Sequence, residues 1–175
     1  MSILIATDDK MPDVVKEYLN NVYSPEKAKQ DIESVREKAD FVIVAMHWGN
    51  EYQQVASETQ KNQAKFLADN GVDIILGSHP HVLEPIEYVG DTLVIYSLGN
   101  FISNQSTRYS DGGVMAEVTI VRGNDGCEFG LNIVPVWVNR RDYAVIPRVV
   151  GDTLGLGADY ELFMSDCERI VKNVR

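Results

Sequence analysis

Apolar positions in the first half of the chain alternate between two patterns: short continuous runs, and longer stretches with an apolar residue every three or four positions. Ile3 to Ala6 is the first short run and predicts a strand, broken by Thr7-Asp8-Asp9 and followed by a polar connection through Asn20-Asn21. A helix is predicted from Ser24, a capping residue followed by Pro25 at the first helical position and Glu26 in the positive first turn. Its apolar stripe is Ala28, Ile32, Val35 and Ala39. Phe41 to Met46 is a continuous apolar run, as expected of a strand buried on both faces in a parallel sheet. The next helix starts at Ser57, where Gln60 completes a capping box. It carries Ala64, Leu67 and Ala68 inward and stops at Asn70-Gly71. Val72 to Leu76 is a second buried strand.

This strand-helix-strand unit fixes a spatial relation. A crossover of this kind makes its strands parallel, so both carboxyl ends reach the same edge of the sheet. His47 follows the first strand and His79 the second, so the two are expected to be neighbours. Ligand sites of open α/β sheets lie at that edge.

Beyond Leu83 the pattern turns antiparallel. Pro85 to Val89 and Thr92 to Ser97 predict a hairpin through Gly90-Asp91, with glycine where a type II′ turn needs it. Val114, Ala116, Val118 and Ile120 alternate with polar residues as a half-buried strand does. A turn at 123–126 leads into a strand from Phe129 to Val138, which Pro135 pushes toward an edge or bulge. The polar loop Ser103 to Gly113 is long enough to reach over a site, or is a plain surface loop. Asn139 to Gly157 predicts only a connection, and Asp159 to Val174 a final helix.

At 175 residues the chain suits a single α/β domain over residues 1–175. A formal charge of -10 argues against a nucleic-acid binder and requires a local cationic centre for any anionic polymer. Cys127 and Cys167 form neither a disulfide framework nor a metal-ligand spacing. No apolar run approaches a membrane span, and Asp8, Asp9 and Lys10 stand where a signal peptide would be apolar.

All three histidines lie between Phe41 and Phe101. In Gly77-Ser78-His79-Pro80-His81, the proline is expected to hold His79 extended, so that His79 and His81 project to one side. With His47 from the adjacent strand, three imidazoles converge, and imidazole is a common metal ligand. Taken singly, each also reads as an ordinary loop histidine. Glu51 and Tyr52 bring a carboxylate and a phenol to the same rim, for acid-base work, for orienting a histidine, or merely as solvated loop residues. Asn100 brings an amide at another strand end, where Gly99-Asn100 also reads as turn chemistry, and Trp48 either walls the site or packs.

His47-Trp48-Gly49-Asn50-Glu51-Tyr52, Gly77-Ser78-His79-Pro80-His81-Val82-Leu83 and Tyr96-Ser97-Leu98-Gly99-Asn100-Phe101, in this order and spacing, resemble the C-terminal half of the CapA (PgsA) family of capsule and poly-γ-glutamate biosynthesis proteins, within the calcineurin-like metallophosphoesterase superfamily. The resemblance implies two packed sheets flanked by helices, here a partial metallophosphatase fold. It implies a divalent-metal site (manganese, iron or zinc) with His47, His79 and His81 as ligands; Glu51 and Asn100, read from their place at the rim, are the catalytic candidates beside it. It also implies the extracellular face of a bacterial membrane. The superfamily's earlier motifs, an Asp-His pair, a Gly-Asp and an Asn-His, have no counterpart here, because Gly90-Asp91 and Gly151-Asp152 come too late.

The expectation is therefore a C-terminal piece whose metal site is incomplete and inactive alone. Its partners would be the remaining N-terminal half of the domain, a further copy of itself covering exposed apolar surface, and an anionic polymer or phosphoester, with no nucleic acid. The alternative is a noncatalytic module that holds polymer or a partner protein at the same edge.

Overall fold

The computed structural model describes residues 2–7, 22–123 and 126–171. The polar connection expected through Asn20-Asn21, the middle of the 123–126 turn and the last helix beyond 171 lie outside them. Two sheets are built from these residues. The larger contains β1 (Ser2–Thr7), β2 (Val42–His47), β3 (Ile74–Ser78), β4 (Ile86–Val89) and β5 (Thr92–Ile95), in the order β1-β2-β3-β5-β4. The smaller contains β6 (Gly112–Gly123), β7 (Gly126–Asn139) and β8 (Ala144–Pro147), in chain order. Helices α1 (Pro25–Arg36), α2 (Glu58–Asp69), α3 (Arg148–Gly151) and α4 (Ala158–Val171) complete the described structure.

Strands β1, β2, β3 and β5 are mutually parallel, and only β4 runs against its neighbour. Thr7 pairs in register with His47, and His47 with Ser78, so these strand ends meet at one edge. The two helices that cross over this sheet start where side-chain chemistry predicts. Ser24 accepts from the Lys27 amide with Pro25 inside the first turn, and Ser57 and Gln60 form a reciprocal capping box. Each such cap stabilises its helix by about 1 kcal/mol. Arg36 then fastens α1 to the bottom of the sheet. Its guanidinium pairs with Asp73 at 2.5 Å and donates to the carbonyls of Gly71 and Asp40, while the Asp73 carboxylate also accepts from the Val42 amide.

Alternation along β2 sorts the core into layers. Val44 and Met46 face α1 and α2 together with Ile32, Ala64, Leu67, Ile75 and Val94. Ile43 points the other way, into a second core where Ile74, Leu93 and Ile95 of the large sheet meet Ala116, Val118, Phe129 and Leu131 of the small one. The outer face of the small sheet is covered by α4 through Phe163, Met164, Cys167 and Ile170. The result is helices, sheet, sheet and helix in successive layers, which is the arrangement of two packed sheets flanked by helices.

The hairpin of β4 and β5 closes through Gly90-Asp91 between the paired Val89 and Thr92. Gly90 has φ +62° and Asp91 does not have a positive φ, the type II′ signature. The segment 139–157, expected as a connection, instead contains β8 and the short α3. Pro135 lies in β7, the middle strand of the small sheet, but at a point where β7 is paired with β6 alone and is locally an edge. It is accommodated because β8 pairs only with residues 136–139, so no ladder partner waits for the missing N–H. Gly113 marks where the sheets join: a Cβ there would lie 2.4 Å from the Leu98 carbonyl oxygen, and Gly99 pairs with Gly113 in an isolated bridge.

Candidate functional site at the sheet edge

The carboxyl ends of β2 and β3 and the segment after β5 build one rim. His47 ends β2, and its ring lies 4.7 Å from that of His79, centre to centre, with His81 a further 6.3 Å on. The two loops that carry them are laced together by backbone bonds. Trp48 N–H donates to Ser78 O, and Tyr52 N–H donates to Pro80 O at 2.8 Å. Trp48 itself does not wall the site; it is fully buried against Tyr96, with its indole N–H on the Tyr96 carbonyl at 2.8 Å. That contact requires Gly77, where any Cβ would strike the same carbonyl.

The backbone at His79 departs from the extended form expected before a proline. His79 has φ +102°, His81 +60° and Tyr52 +62°. A following proline chiefly excludes the right-handed helical region, so it does not prevent a positive φ. Tertiary bonds, such as the Tyr52 amide on Pro80 O, hold the loop there. The imidazoles of His79 and His81 are neighbours because of this turn, not because of an extended strand. Three non-glycine residues in the left half of conformational space cost about 1–3 kcal/mol each.

Asn100 orients His81. It is buried, and its amide nitrogen donates to Ser110 O at 2.9 Å and to Gln105 Oε1 at 3.0 Å. A carbonyl can only accept, so the amide nitrogen faces Ser110 and the amide oxygen faces His81 Nδ1 at 3.0 Å. The neutral form of His81 that makes this bond carries its proton on Nδ1 and presents Nε2 as the bare nitrogen. This is the way an outer partner prepares a ligand or base imidazole. The Tyr52 ring stacks on His81 at 6.1 Å, and its hydroxyl accepts from Gln105 Nε2. His47 Nδ1 lies 3.3 Å from Ser78 Oγ.

The structure thus brings together His47, His79, His81, Asn100 and Tyr52. Glu51 is exposed in the adjoining turn and makes no hydrogen bond or ion pair among the described residues. The imidazole donors suit a divalent ion, but the set is short. No group of three or more His, Cys, Asp or Glu side chains among the described residues is arranged to hold one.

Three participants escape a reading by motif. Ser78 ends β3 inside the histidine motif and Gln105 lies in a polar loop, and neither carries a signal of its own. The third, Glu84, does leave a trace as a lone charge in the apolar run Val82 to Ile86. It is fully buried beneath the histidine loop and accepts from Gln60 Nε2 at 2.6 Å, while its other oxygen has no partner. Burial pushes its carboxyl up to about 7, against the pull of the Gln60 amide.

A family described as bacterial capsule synthesis protein PGA_cap matches residues 5–105, more than half of the chain. A PGA biosynthesis protein CapA of Bacillus subtilis (strain 168) is 45% identical over 85 residues, covering 48% of this chain and 22% of that protein. A capsule biosynthesis protein CapA of Bacillus anthracis is 37% identical over 105 residues, covering 59% of this chain and 23% of that protein. The chain therefore spans less than a quarter of the length of either relative, and the matched stretch contains the whole histidine rim.

Proposed function

The chain belongs to the bacterial capsule synthesis protein family, and from that premise we propose that it works in making an extracellular polymer, with the rim of His47, His79 and His81 as its contribution to a metal-dependent, phosphoester-handling centre. The observation that carries this reading is the rim itself: imidazoles from two parallel strand ends, one of them held by Asn100 with its Nε2 bare. A divalent ion bound there would supply Lewis acidity toward a phosphoryl oxygen. The chain's own residues do the positioning. Asn100 fixes the tautomer of His81, Tyr52 covers one face of that ring, and Ser78 touches His47. Glu51 is the exposed carboxylate of the rim and is proposed to meet a substrate beside the imidazoles, whereas Asn100, its amide spent on His81, Gln105 and Ser110, acts through His81. The remaining ligands would come from outside the described residues, and the described chain alone is proposed to be inactive.

Calorimetric titration with zinc and manganese, on wild type and on His79→Ala/His81→Ala, tests the reading. Wild type is expected to take up metal weakly and the double variant to lose that uptake; equal uptake by both removes the histidines from the ligand set. The noncatalytic reading draws on the exposed Phe101 and Ile102 directly after Asn100, which suit a partner surface. It would be favoured by a longer family member that loads fully with metal and turns over no phosphoester.

A further inference from the structure

Below the histidine loops, Gln60 and Glu84 form a polar joint in the interior. Each is 1% exposed. The Gln60 amide nitrogen donates to Glu84 Oε2 at 2.6 Å. The orientation of that amide is forced from its other end, because the Gln60 oxygen accepts from both the N–H and the hydroxyl of Ser57, each at 2.9 Å. The second carboxyl oxygen of Glu84 is buried with no partner. Two apolar side chains would fill the same space at less cost, since a buried polar atom without a partner has given up its hydration for nothing. What the joint supplies, and an apolar pair would not, is direction.

Each partner underlies one imidazole loop. Gly49, two residues after His47, lies flat on the Gln60 amide: a Cβ there would come within 2.7 Å of its nitrogen, 2.8 Å of its carbon and 2.9 Å of its oxygen. Glu84 stands three residues after His81, and its own N–H donates to Ser97 O. The neighbouring bonds tie the same segments. Tyr96 N–H donates to Pro85 O, and Tyr96 O accepts from the Trp48 indole. The Gln60–Glu84 bond is therefore a side-chain link from α2 to the segment after His81, with the turn after His47 resting on it.

We propose that Gln60 and Glu84 are positioning residues of the rim, a buried amide–carboxyl joint that sets how far His47 stands from His79 and His81. A hydrogen bond fixes both a length and an angle, which the packing of apolar side chains does not. Imidazoles that share an ion need that precision, because ligand distances to a metal hold to within about 0.2 Å. That the joint serves a bound ion rests on the metal function proposed for the rim; that it holds the two loops in place does not.

Amide hydrogen exchange followed by NMR tests it. Trp48 N–H on Ser78 O and Tyr52 N–H on Pro80 O report the rim, and Leu93 N–H on Asp73 O reports the opposite end of the same sheet. Glu84→Met, which keeps the bulk and removes the acceptor, should speed exchange at Trp48 and Tyr52 by about tenfold and leave Leu93 as in wild type. A merely structural loss would speed all three. The swapped pair Gln60→Glu/Glu84→Gln rebuilds the bond with donor and acceptor interchanged and keeps an acceptor for Ser57, so it should return both rim amides to wild-type rates. Ser57→Ala, which removes the hydroxyl and leaves the joint, should lower the urea midpoint without singling out the rim amides. Should Glu84→Met not fold, Glu84→Asp, a carboxyl one methylene short of Gln60, takes its place. In zinc titrations Glu84→Met should bind about tenfold more weakly than wild type, and the swapped pair should recover the affinity. Unchanged exchange at Trp48 and Tyr52, equal acceleration at Leu93, or no recovery in the swapped pair overturns the proposal. Where the histidines hold the zinc, equal affinity in Glu84→Met and wild type overturns it too. Equal zinc uptake by wild type and His79→Ala/His81→Ala overturns the metal function alone, and the exchange rates then decide whether the joint holds the loops.

Discussion

Two single residues at or beneath the rim carry energetic costs. Glu84 is the first. Its carboxyl titrates near 7 in the fold because it is buried, against an ordinary value of 4.5. A raised value means that the folded state favours the proton. The associated stability is fully present below about pH 4.5 and is lost as the pH rises through about 7. The loss is on the order of 3 kcal/mol at the high end. Glu84→Gln supplies a neutral group of the same shape, so its denaturation midpoint should be flat between pH 5 and 8 where wild type declines; parallel profiles would remove Glu84 as the cause. His81 is the second. At φ +60° a Cβ is strained and glycine is not. His81→Gly and His81→Ala both delete the imidazole, but His81→Gly should be the more stable by about 1 kcal/mol in urea melts. Equal stabilities would mean that the loop relaxes without the ring.

At the scale of elements, most of the edge that holds the rim was readable from local rules. Ser24-Pro25 and Ser57 with Gln60 announce the two crossover helices by their own side-chain chemistry. The apolar runs beginning at Phe41 and Val72 have the length and composition of buried strands. From those alone the parallel crossover and the adjacency of His47 and His79 follow. Where the reading failed, the deciding interactions are distant in sequence. β8 is a four-residue strand whose only partner among the described residues is the end of β7, and Ala144 to Pro147 carries no alternation strong enough to mark it. The positive φ at His79 is set by contacts with the 48–52 loop, which a rule about its neighbour Pro80 does not see. The Gln60–Glu84 joint was hidden for the same reason. Gln60 reads as a capping residue until Glu84 meets it from 24 residues away.

For the whole molecule the question is whether the two sheets fold as one unit. They share a core in which Ile74, Leu93 and Ile95 pack on Ala116, Val118 and Phe129, and they join where Gly113 lies against the Leu98 carbonyl. A core that neither sheet completes alone should make unfolding cooperative. The chain has two tryptophans, one in each half: Trp48 in the layer between the large sheet and its helices, and Trp137 between the small sheet and α4. Single-tryptophan variants, Trp137→Phe and Trp48→Phe, therefore report the halves separately. Their urea transitions, each compared with circular dichroism of the same variant, should coincide with the global one. Gly113→Ala forces a Cβ to within 2.4 Å of Leu98 O at the join, so it should lower both transitions together, by roughly 1–3 kcal/mol as for overpacking. If Gly113→Ala instead shifts the Trp137 signal and leaves that of Trp48 in place, the small sheet with α4 is a separable unit that melts while the histidine rim stays folded.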